Sequence, residues 1–205
     1  MADAAKHGPT AGDGVSRQTI LGVAALGALA AVPLIGRLAR LTDAYALPSK
    51  AQDARILQLV LQLEYTQVAF YEQALQNARL HGELREFART ALVHERAHLA
   101  VLKGALGTKA GPRPTFDFGS AVRDPDEFKQ TAIKLEDIAI AGYNGQATNL
   151  TAGTLAAAAK IVSVEARHAS WVRTLAGEVA APEAVDKPMT AKQVADGLHA
   201  IGLKA

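Results

Sequence analysis

The sequence contains no cysteine. This absence excludes disulfide bonds, thiolate metal ligands and cysteine nucleophiles, and it leaves the cellular compartment open. Aromatic residues make up only 5% of the chain, and the prolines and glycines are concentrated at a few points. The rest of the composition is 49% hydrophobic and rich in Ala and Leu, which favours helices packed on helices.

The chain also lacks a large excess of charge of either sign. Its 22 basic and 20 acidic residues are interspersed, and the formal net charge is +2. A protein that binds nucleic acid needs concentrated positive charge to displace counterions from phosphates. The sequence therefore predicts no nucleic-acid partner, and its length of 205 residues suits one domain with appendages.

The N-terminal 46 residues are predicted to lie outside the folded domain. Residues 1–16 are rich in Gly, Ala and Asp, a composition typical of a disordered tail. Residues 18–36 carry no charge and are apolar around the whole helix circumference. This length fits both the apolar region of a signal sequence and a membrane-spanning helix. A buried N-terminal helix is the alternative, but such a helix is usually apolar on one stripe only.

Export is the expected role of this segment. Residues Ser16-Arg17-Gln18-Thr19-Ile20-Leu21 resemble a twin-arginine export signal, with Gln18 in place of the second arginine. Ala44-Tyr45-Ala46 and Ala28-Leu29-Ala30 each fit the small-x-small rule for cleavage. We therefore expect a periplasmic or cell-envelope protein, which contacts the membrane through residues 18–36 if this leader stays attached.

Two helices are predicted before a Pro-rich break. The first has a capping-box pattern at Ser49 and apolar residues at helical spacing to about Leu80. The second follows a turn at Gly82 and reaches a C-cap at Gly107. The sequence Gly111-Pro112-Arg113-Pro114 cannot continue a helix, so the hairpin ends there.

A second hairpin is predicted after a long crossover. Residues 108–123 are long enough to run from one end of a bundle to the other. Asp124-Pro125 supplies an N-cap and a proline at the first helical position, which predicts the start of the third helix. The fourth helix is expected to begin at Thr151 or Thr154 and to end near Gly177.

The predicted architecture is all-α: a four-helix bundle with a long crossover between helices 2 and 3 and an N-terminal apolar leader. Its predicted parts are the tail and leader at 1–46, the bundle at 47–178 and a C-terminal tail at 179–205. A short helix capped by Thr190 is expected in that tail and should pack on the outside of the bundle.

One polar pattern occurs twice in the predicted bundle. Glu95-x-x-His98 and Glu165-x-x-His168 each place a carboxylate and an imidazole on one helix face. A lone glutamate precedes each pair: Glu64 lies 31 residues before Glu95, and Glu136 lies 29 residues before Glu165. The two halves align with offsets of 72, 70 and 70 residues. This register predicts a pseudo-two-fold bundle with a site between its halves.

A tyrosine follows each lone glutamate by seven residues, at Tyr71 and Tyr143. Seven residues are close to two helical turns, so each tyrosine lies on the face of its glutamate. We expect both to donate hydrogen bonds beside the site or to fill the core, rather than to take part in redox chemistry. Glu72 is expected to pair with an arginine, and three histidines are expected to be solvated or to cap helices: His81, His94 and His199.

In a four-helix bundle, one Glu from each of two helices plus Glu-x-x-His from the other two can hold a pair of metal ions. The predicted ligands are Glu64, Glu95, His98, Glu136, Glu165 and His168. Glu95 and Glu165 are placed to bridge the two ions. Oxygen ligands with one imidazole per ion suit iron or manganese better than zinc or copper. Two iron or manganese ions are therefore the predicted cofactors.

Two other interpretations compete with this one. A single buried glutamate is more often half of an internal salt bridge, here with Arg96 or Arg167, but six residues in register reverse that preference. The stretch His94-Glu95-x-x-His98 also matches the helical motif of zinc metalloproteases, in which the glutamate is the general base. That motif needs a third ligand and leaves the second pair, Glu165-x-x-His168, unexplained.

Four stretches carry a resemblance to a known family: Leu63-Glu64-x-x-x-x-Ala69-Phe70-Tyr71-Glu72, His94-Glu95-x-x-His98, Leu135-Glu136-x-x-x-x-x-x-Tyr143 and Glu165-x-x-His168. Over about residues 50–178 the chain resembles the exported ferritin-like domain family of the ferritin-like superfamily. The resemblance implies a dimetal centre that meets dioxygen or peroxide, with ferroxidase or peroxide-removing activity. A stress-protective structural protein, in which the metal only staples the halves, is the alternative, and the number of subunits is left open.

The chain departs from this resemblance at two positions. Many relatives place an acidic residue just before the Glu of each Glu-x-x-His, whereas this chain has His94 and Val164 there. Outer hydrogen-bond partners orient metal ligands and raise their basicity. The departure therefore predicts a lower metal affinity than the ligand count alone would give.

Overall fold

The computed structural model describes residues 47–204, so the predictions about the tail, the apolar leader and its cleavage lie outside the described residues. This part of the chain contains five α-helices: α1 (Lys50–Asn77), α2 (Gly82–Leu106), α3 (Pro125–Gln146), α4 (Ala152–Leu175) and α5 (Ala191–Ile201). Between residues 47 and 204, no helix combines the length and the apolar character that crossing a membrane requires.

Helices α1 to α4 form the bundle. Helix α1 packs along α2, and α3 packs along α4. The two hairpins meet where α1 contacts α3 and α2 contacts α4. The predicted all-α four-helix bundle with a long connection between its second and third helices is therefore confirmed.

The helix ends follow local chemistry. The Asp124 carboxylate accepts hydrogen bonds of 2.9 Å from the backbone N–H groups of Asp126 and Glu127, so α3 begins where the sequence predicted. Helix α2 ends before Gly107, whose φ of 56° is in the left-handed region that favours glycine. Helix α1 stops at Asn77, about three residues earlier than predicted, because Arg79 adopts a φ of 49°.

The few aromatic residues are concentrated in one buried cluster. Phe70 and Phe128 stack with ring centroids 5.3 Å apart, and Phe87 meets Phe128 edge to face. Phe87 also lies edge-on to His168, with centroids 6.5 Å apart. All three phenylalanines are fully buried. The cluster therefore closes one end of the bundle interior around His168.

The C-terminal tail packs on the bundle as predicted. Helix α5 begins at Thr190 with the expected capping box and packs on α3 through the fully buried Val194. The tail passes so close to α3 that a Cβ at Gly145 would lie 1.9 Å from the Met189 carbonyl oxygen. Two short antiparallel strands, β1 (Thr115–Phe116) and β2 (Leu203–Lys204), tie the crossover to the end of the chain.

Asp53 joins the two hairpins near the start of α1. Its carboxylate is 3% exposed and accepts hydrogen bonds from Thr151 N at 2.8 Å, Thr151 Oγ1 at 2.6 Å and Thr154 Oγ1 at 2.8 Å. Burial acts to raise the pKa of Asp53, but the hydrogen bonds from the two threonines and the charge of Lys50 lower it further than burial raises it. Asp53 therefore caps α4 as an ionised group.

Replacing Asp53 by asparagine should lower the free energy of unfolding by about 1–2 kcal/mol near neutral pH. Asparagine offers one acceptor oxygen to three donors and lacks the charge that strengthens these bonds. Because the folded-state pKa of Asp53 is lowered, its charge stabilises the fold above the usual carboxyl pKa and ceases to do so as pH falls through the lowered pKa.

Denaturant unfolding of the two chains, in chelator and over a range of acidic pH, measures this effect. The difference between wild type and Asp53→Asn should shrink as the solution is acidified. A difference that stays constant from neutral to strongly acidic pH would show that the charge of Asp53 contributes nothing.

Candidate metal centre

All six predicted ligands are buried in the bundle. The four glutamates are 0% exposed, His98 is 8% exposed and His168 is 2% exposed. They form two groups in which the potential ligand atoms lie within 4.8 Å of one another: Glu64, Glu95, His98 and Glu165, and Glu95, Glu136, Glu165 and His168. Glu95 and Glu165 belong to both groups, which are the two residues expected to bridge. The structure thus brings the predicted residues together, and their role as ligands stays a prediction.

Each histidine presents Nδ1 to three carboxylates. His98 Nδ1 lies 2.9 Å from Glu165 Oε1, 3.0 Å from Glu95 Oε2 and 3.6 Å from Glu64 Oε2. This nitrogen therefore faces the centre of the bundle, where a shared cation would have to lie.

His168 repeats this arrangement in the other half. Its Nδ1 lies 3.0 Å from Glu95 Oε1, 3.5 Å from Glu165 Oε2 and 3.6 Å from Glu136 Oε2. The two histidines thus approach the shared carboxylates from opposite helices, α2 and α4.

Several buried polar atoms in the two groups have no hydrogen-bond partner within residues 47–204. They are Glu64 Oε2, Glu95 Oε1, Glu165 Oε1 and His168 Nδ1. Buried polar atoms normally have a partner, and an unpartnered buried carboxylate oxygen is costly. All four belong to the predicted ligands, so the donor set fits a pair of hard cations.

The charges of the metal-free groups are held by protons. Burial raises the pKa of Glu64 above its usual range and that of Glu136 to about 8. Burial acts to lower the pKa of His98 and His168, but the surrounding carboxylates raise both to about 12. A metal ion needs neutral imidazole and ionised carboxylate, so its binding must displace protons and must weaken as the pH falls.

The two tyrosines cross between the halves. Tyr143 donates a hydrogen bond of 2.8 Å to Glu64, and Tyr71 donates one to Glu136. Each tyrosine therefore supports the glutamate of the other hairpin. The prediction that both are hydrogen-bond donors beside the site agrees with this geometry, although the sequence gave no indication of the crossing.

Sequence reasoning missed Gln67. Its amide is fully buried, and Nε2 donates to Glu136 Oε2 at 3.2 Å and to Glu165 Oε2 at 3.4 Å. Gln67 follows Glu64 by three residues, and this spacing places it on the same face of α1. That spacing was the available signal for a polar residue in the site.

The interpretation of His94 as a solvated or capping residue was wrong. His94 is half-buried, and its Nδ1 lies 2.9 Å from Nε2 of His168. The two rings stack with centroids 5.1 Å apart and planes 12° apart. Neither of the two four-residue groups includes His94, so the geometry does not reproduce the ligand pair of a zinc protease.

The remaining polar predictions are resolved by ion pairs and hydrogen bonds away from the site. Glu72 pairs with Arg96 at 2.9 Å and with Arg113 at 2.8 Å, as expected for a residue outside the metal groups. Because Arg96 is held by Glu72, it does not neutralise the buried Glu64. His81 is exposed, and His199 Nδ1 donates to the Leu203 carbonyl at 3.0 Å.

An apolar cavity of about 230 Å³ opens between α2 and α4 near the first group. Its lining includes Leu102, one turn after His98, and Ile161, one turn before Glu165. Tyr143, whose hydroxyl binds Glu64, also lines it. The cavity therefore approaches the site from the side of His98.

Comparison with curated proteins finds no significant match. A family model described as a ferritin-like domain matches residues 52–178, which is more than half of the chain. The matched region begins in α1, ends just after α4 and contains all six predicted ligands. The chain therefore belongs to the ferritin-like domain family.

Proposed function

We propose that this protein binds two iron or manganese ions in the bundle core and uses them to oxidise Fe(II) or to remove peroxide. The observation that carries the proposal is the pair of buried four-residue groups that share Glu95 and Glu165. Each group offers three carboxylates and one imidazole. This donor set suits iron and manganese, which accept hard oxygen ligands and change oxidation state.

When bound, two reduced ions supply the two electrons with which one hydrogen peroxide molecule and two protons yield two water molecules. The chain supplies the surroundings for this reaction. Burial raises the pKa of Tyr71 and of Tyr143 well above the usual value, so both hydroxyls stay protonated and donate to Glu136 and Glu64. Donation from fixed hydroxyls orients these carboxylates before a metal arrives.

The core around the site excludes bulk water. Phe87 and Tyr71 are fully buried and meet edge to face, with ring centroids 5.8 Å apart. Electrostatic interactions are stronger where water is excluded, so the carboxylates act on a bound cation with little screening. The cavity near His98 supports a route for a small neutral oxidant into this closed core.

One observation also favours the structural alternative. The first group takes residues from α1, α2 and α4, and the second takes them from α2, α3 and α4. Two ions would therefore link all four helices, and the binding free energy would contribute to folding. A stress-protective protein could use the site in this way without turnover.

The test is to load the full chain with Fe(II) or Mn(II) and to follow Fe(II) oxidation and peroxide consumption. We expect both processes to be faster than with the same concentration of free metal, and we expect Glu95→Ala/Glu165→Ala to remove the difference. Zn(II) serves as the redox-inactive control. Stabilisation by Zn(II) together with rates no faster than free metal would favour the structural alternative and would contradict the oxidoreductase proposal.

We also propose that the protein is exported to the periplasm or cell envelope. The uncharged residues 18–36 and the preceding signal-like stretch at Ser16–Leu21 support this location. Fractionation of cells that express the chain with a C-terminal epitope provides the test. Recovery of the epitope only from the cytoplasm would contradict export, and the mass of the recovered chain would show whether the leader is removed.

A further inference from the structure

The two predicted histidine ligands differ in their outer nitrogen atoms. Nε2 of His168 has His94 Nδ1 at 2.9 Å, beneath a stacked ring. Within residues 47–204, Nε2 of His98 makes no hydrogen bond of this kind. The 70-residue offset between the halves explains the difference, because the position that corresponds to His94 is Val164, which cannot accept a hydrogen bond.

Gln67 adds a second difference on the same side. Its amide nitrogen donates to Glu136 and Glu165, both of which belong to the group of His168. The 72-residue offset that relates Glu64 to Glu136 relates Gln67 to Ala139, which is fully buried and has no polar side chain. The extra hydrogen-bond donor therefore serves one half of the site only.

The two halves also differ in enclosure. His168 is 2% exposed and lies edge-on to Phe87, whereas His98 is 8% exposed. The cavity of about 230 Å³ lies one helical turn from His98. The polar support and the tighter enclosure thus fall on the same side, that of His168.

We propose that the two metal positions are inequivalent: the Glu136/His168 position binds the more tightly and fills first, and His94 is the positioning residue that makes it so. This inference rests on the metal binding in the proposed function but not on turnover. For Nδ1 of His168 to bind a cation, its proton must be on Nε2, and an acceptor at 2.9 Å holds that tautomer and the ring orientation. Loss of such an outer partner typically weakens metal binding by about 10–100-fold.

The experiment is a titration of the metal-free full chain with Co(II), followed by visible absorption and calorimetry. Wild type should bind in two steps whose affinities differ by about tenfold or more. His94→Ala should weaken the tighter step by about 10–100-fold, so that the two steps merge. His94→Asn should restore much of the separation, because Oδ1 of asparagine lies close to the place of Nδ1 and can accept the same hydrogen bond.

Val164→Ala is the matched control. It truncates the corresponding residue of the other half and should leave both steps unchanged, because the native valine offers no hydrogen bond to lose. Circular dichroism before the titration establishes that each variant is folded. An equal effect of Val164→Ala and His94→Ala would overturn the role of His94.

Nuclear magnetic resonance of the Co(II)-loaded protein adds a readout that general loss of packing would not produce. In wild type, the shifted imidazole N–H signal of His168 should exchange slowly with solvent, and that of His98 should exchange rapidly. His94→Ala should make both exchange rapidly. Two Co(II) ions bound with equal affinity in wild type would overturn the inference alone, whereas a chain that binds no Co(II) would contradict the proposed function itself.

Discussion

Replacing Glu95 and Glu165 together by alanine should abolish metal binding at both positions. Each of the two groups would keep only one glutamate and one histidine, because these two residues are the shared members. Loss of a single outer partner already weakens metal sites by about 10–100-fold, so loss of two direct ligands from each position should exceed about 100-fold. Titration with Fe(II) under anaerobic conditions, or with Mn(II), measures the affinity.

Glu72→Ala provides the matched control for this result. Glu72 is a glutamate of α1 near the site, but its carboxylate binds Arg96 and Arg113 rather than the cluster. It should therefore keep both metal positions. Retention of both ions by Glu95→Ala/Glu165→Ala would show that these residues do not bridge, and equal losses in the two variants would point to a general effect of removing negative charge.

Metal binding should raise the melting temperature of the wild-type chain by about 10–20 °C. Each ion at a free concentration 100 times its dissociation constant stabilises the folded state by about 2.7 kcal/mol, so two ions contribute about 5 kcal/mol. For a domain of this size, each kcal/mol corresponds to about 2–4 °C. The physical source is the buried cluster, in which carboxylate oxygens of Glu64, Glu95 and Glu165 lack partners within the described chain.

The measurement is thermal unfolding in chelator and then with increasing free Mn(II). The melting temperature should rise with metal in the wild type and should stay constant in Glu95→Ala/Glu165→Ala. A wild-type melting temperature that is independent of metal would mean that the native cluster gains nothing from a cation, and that protons neutralise it fully.

The sequence was informative where chemistry repeats along the chain. The common offsets that relate Glu64 to Glu136 and Glu95 to Glu165 predicted two equivalent hairpins, and the structure places these residues in two overlapping groups. The start of α3 was also predictable, because Asp124 caps its own helix and needs only neighbours in sequence.

Contacts between helices could not be read in the same way. Spacing placed Tyr71 on the face of Glu64, but the helix rotation that turns its hydroxyl to Glu136 depends on packing across the bundle. Asp53 appeared to be an ordinary residue of the first turn of α1, yet it caps α4 through Thr151, which is 98 residues away.

His94 shows the limit most clearly. Adjacent helix positions point about 100° apart, so a residue next to Glu95 was expected to face away from the site. It does face away from the shared carboxylates, but helix α4 passes close enough for Nε2 of His168 to meet it. A periodic pattern gives the face of a helix and does not give the neighbour that this face will meet.

The most direct test of the dimetal centre is elemental analysis of the full chain, purified without added metal, beside Glu95→Ala/Glu165→Ala. The shared-glutamate geometry predicts about two equivalents of iron or manganese per wild-type chain and none in the variant. Absence of metal from both proteins, with wild-type stability unaffected by added Fe(II) or Mn(II), would contradict the account and would leave the six residues as a proton-neutralised polar cluster.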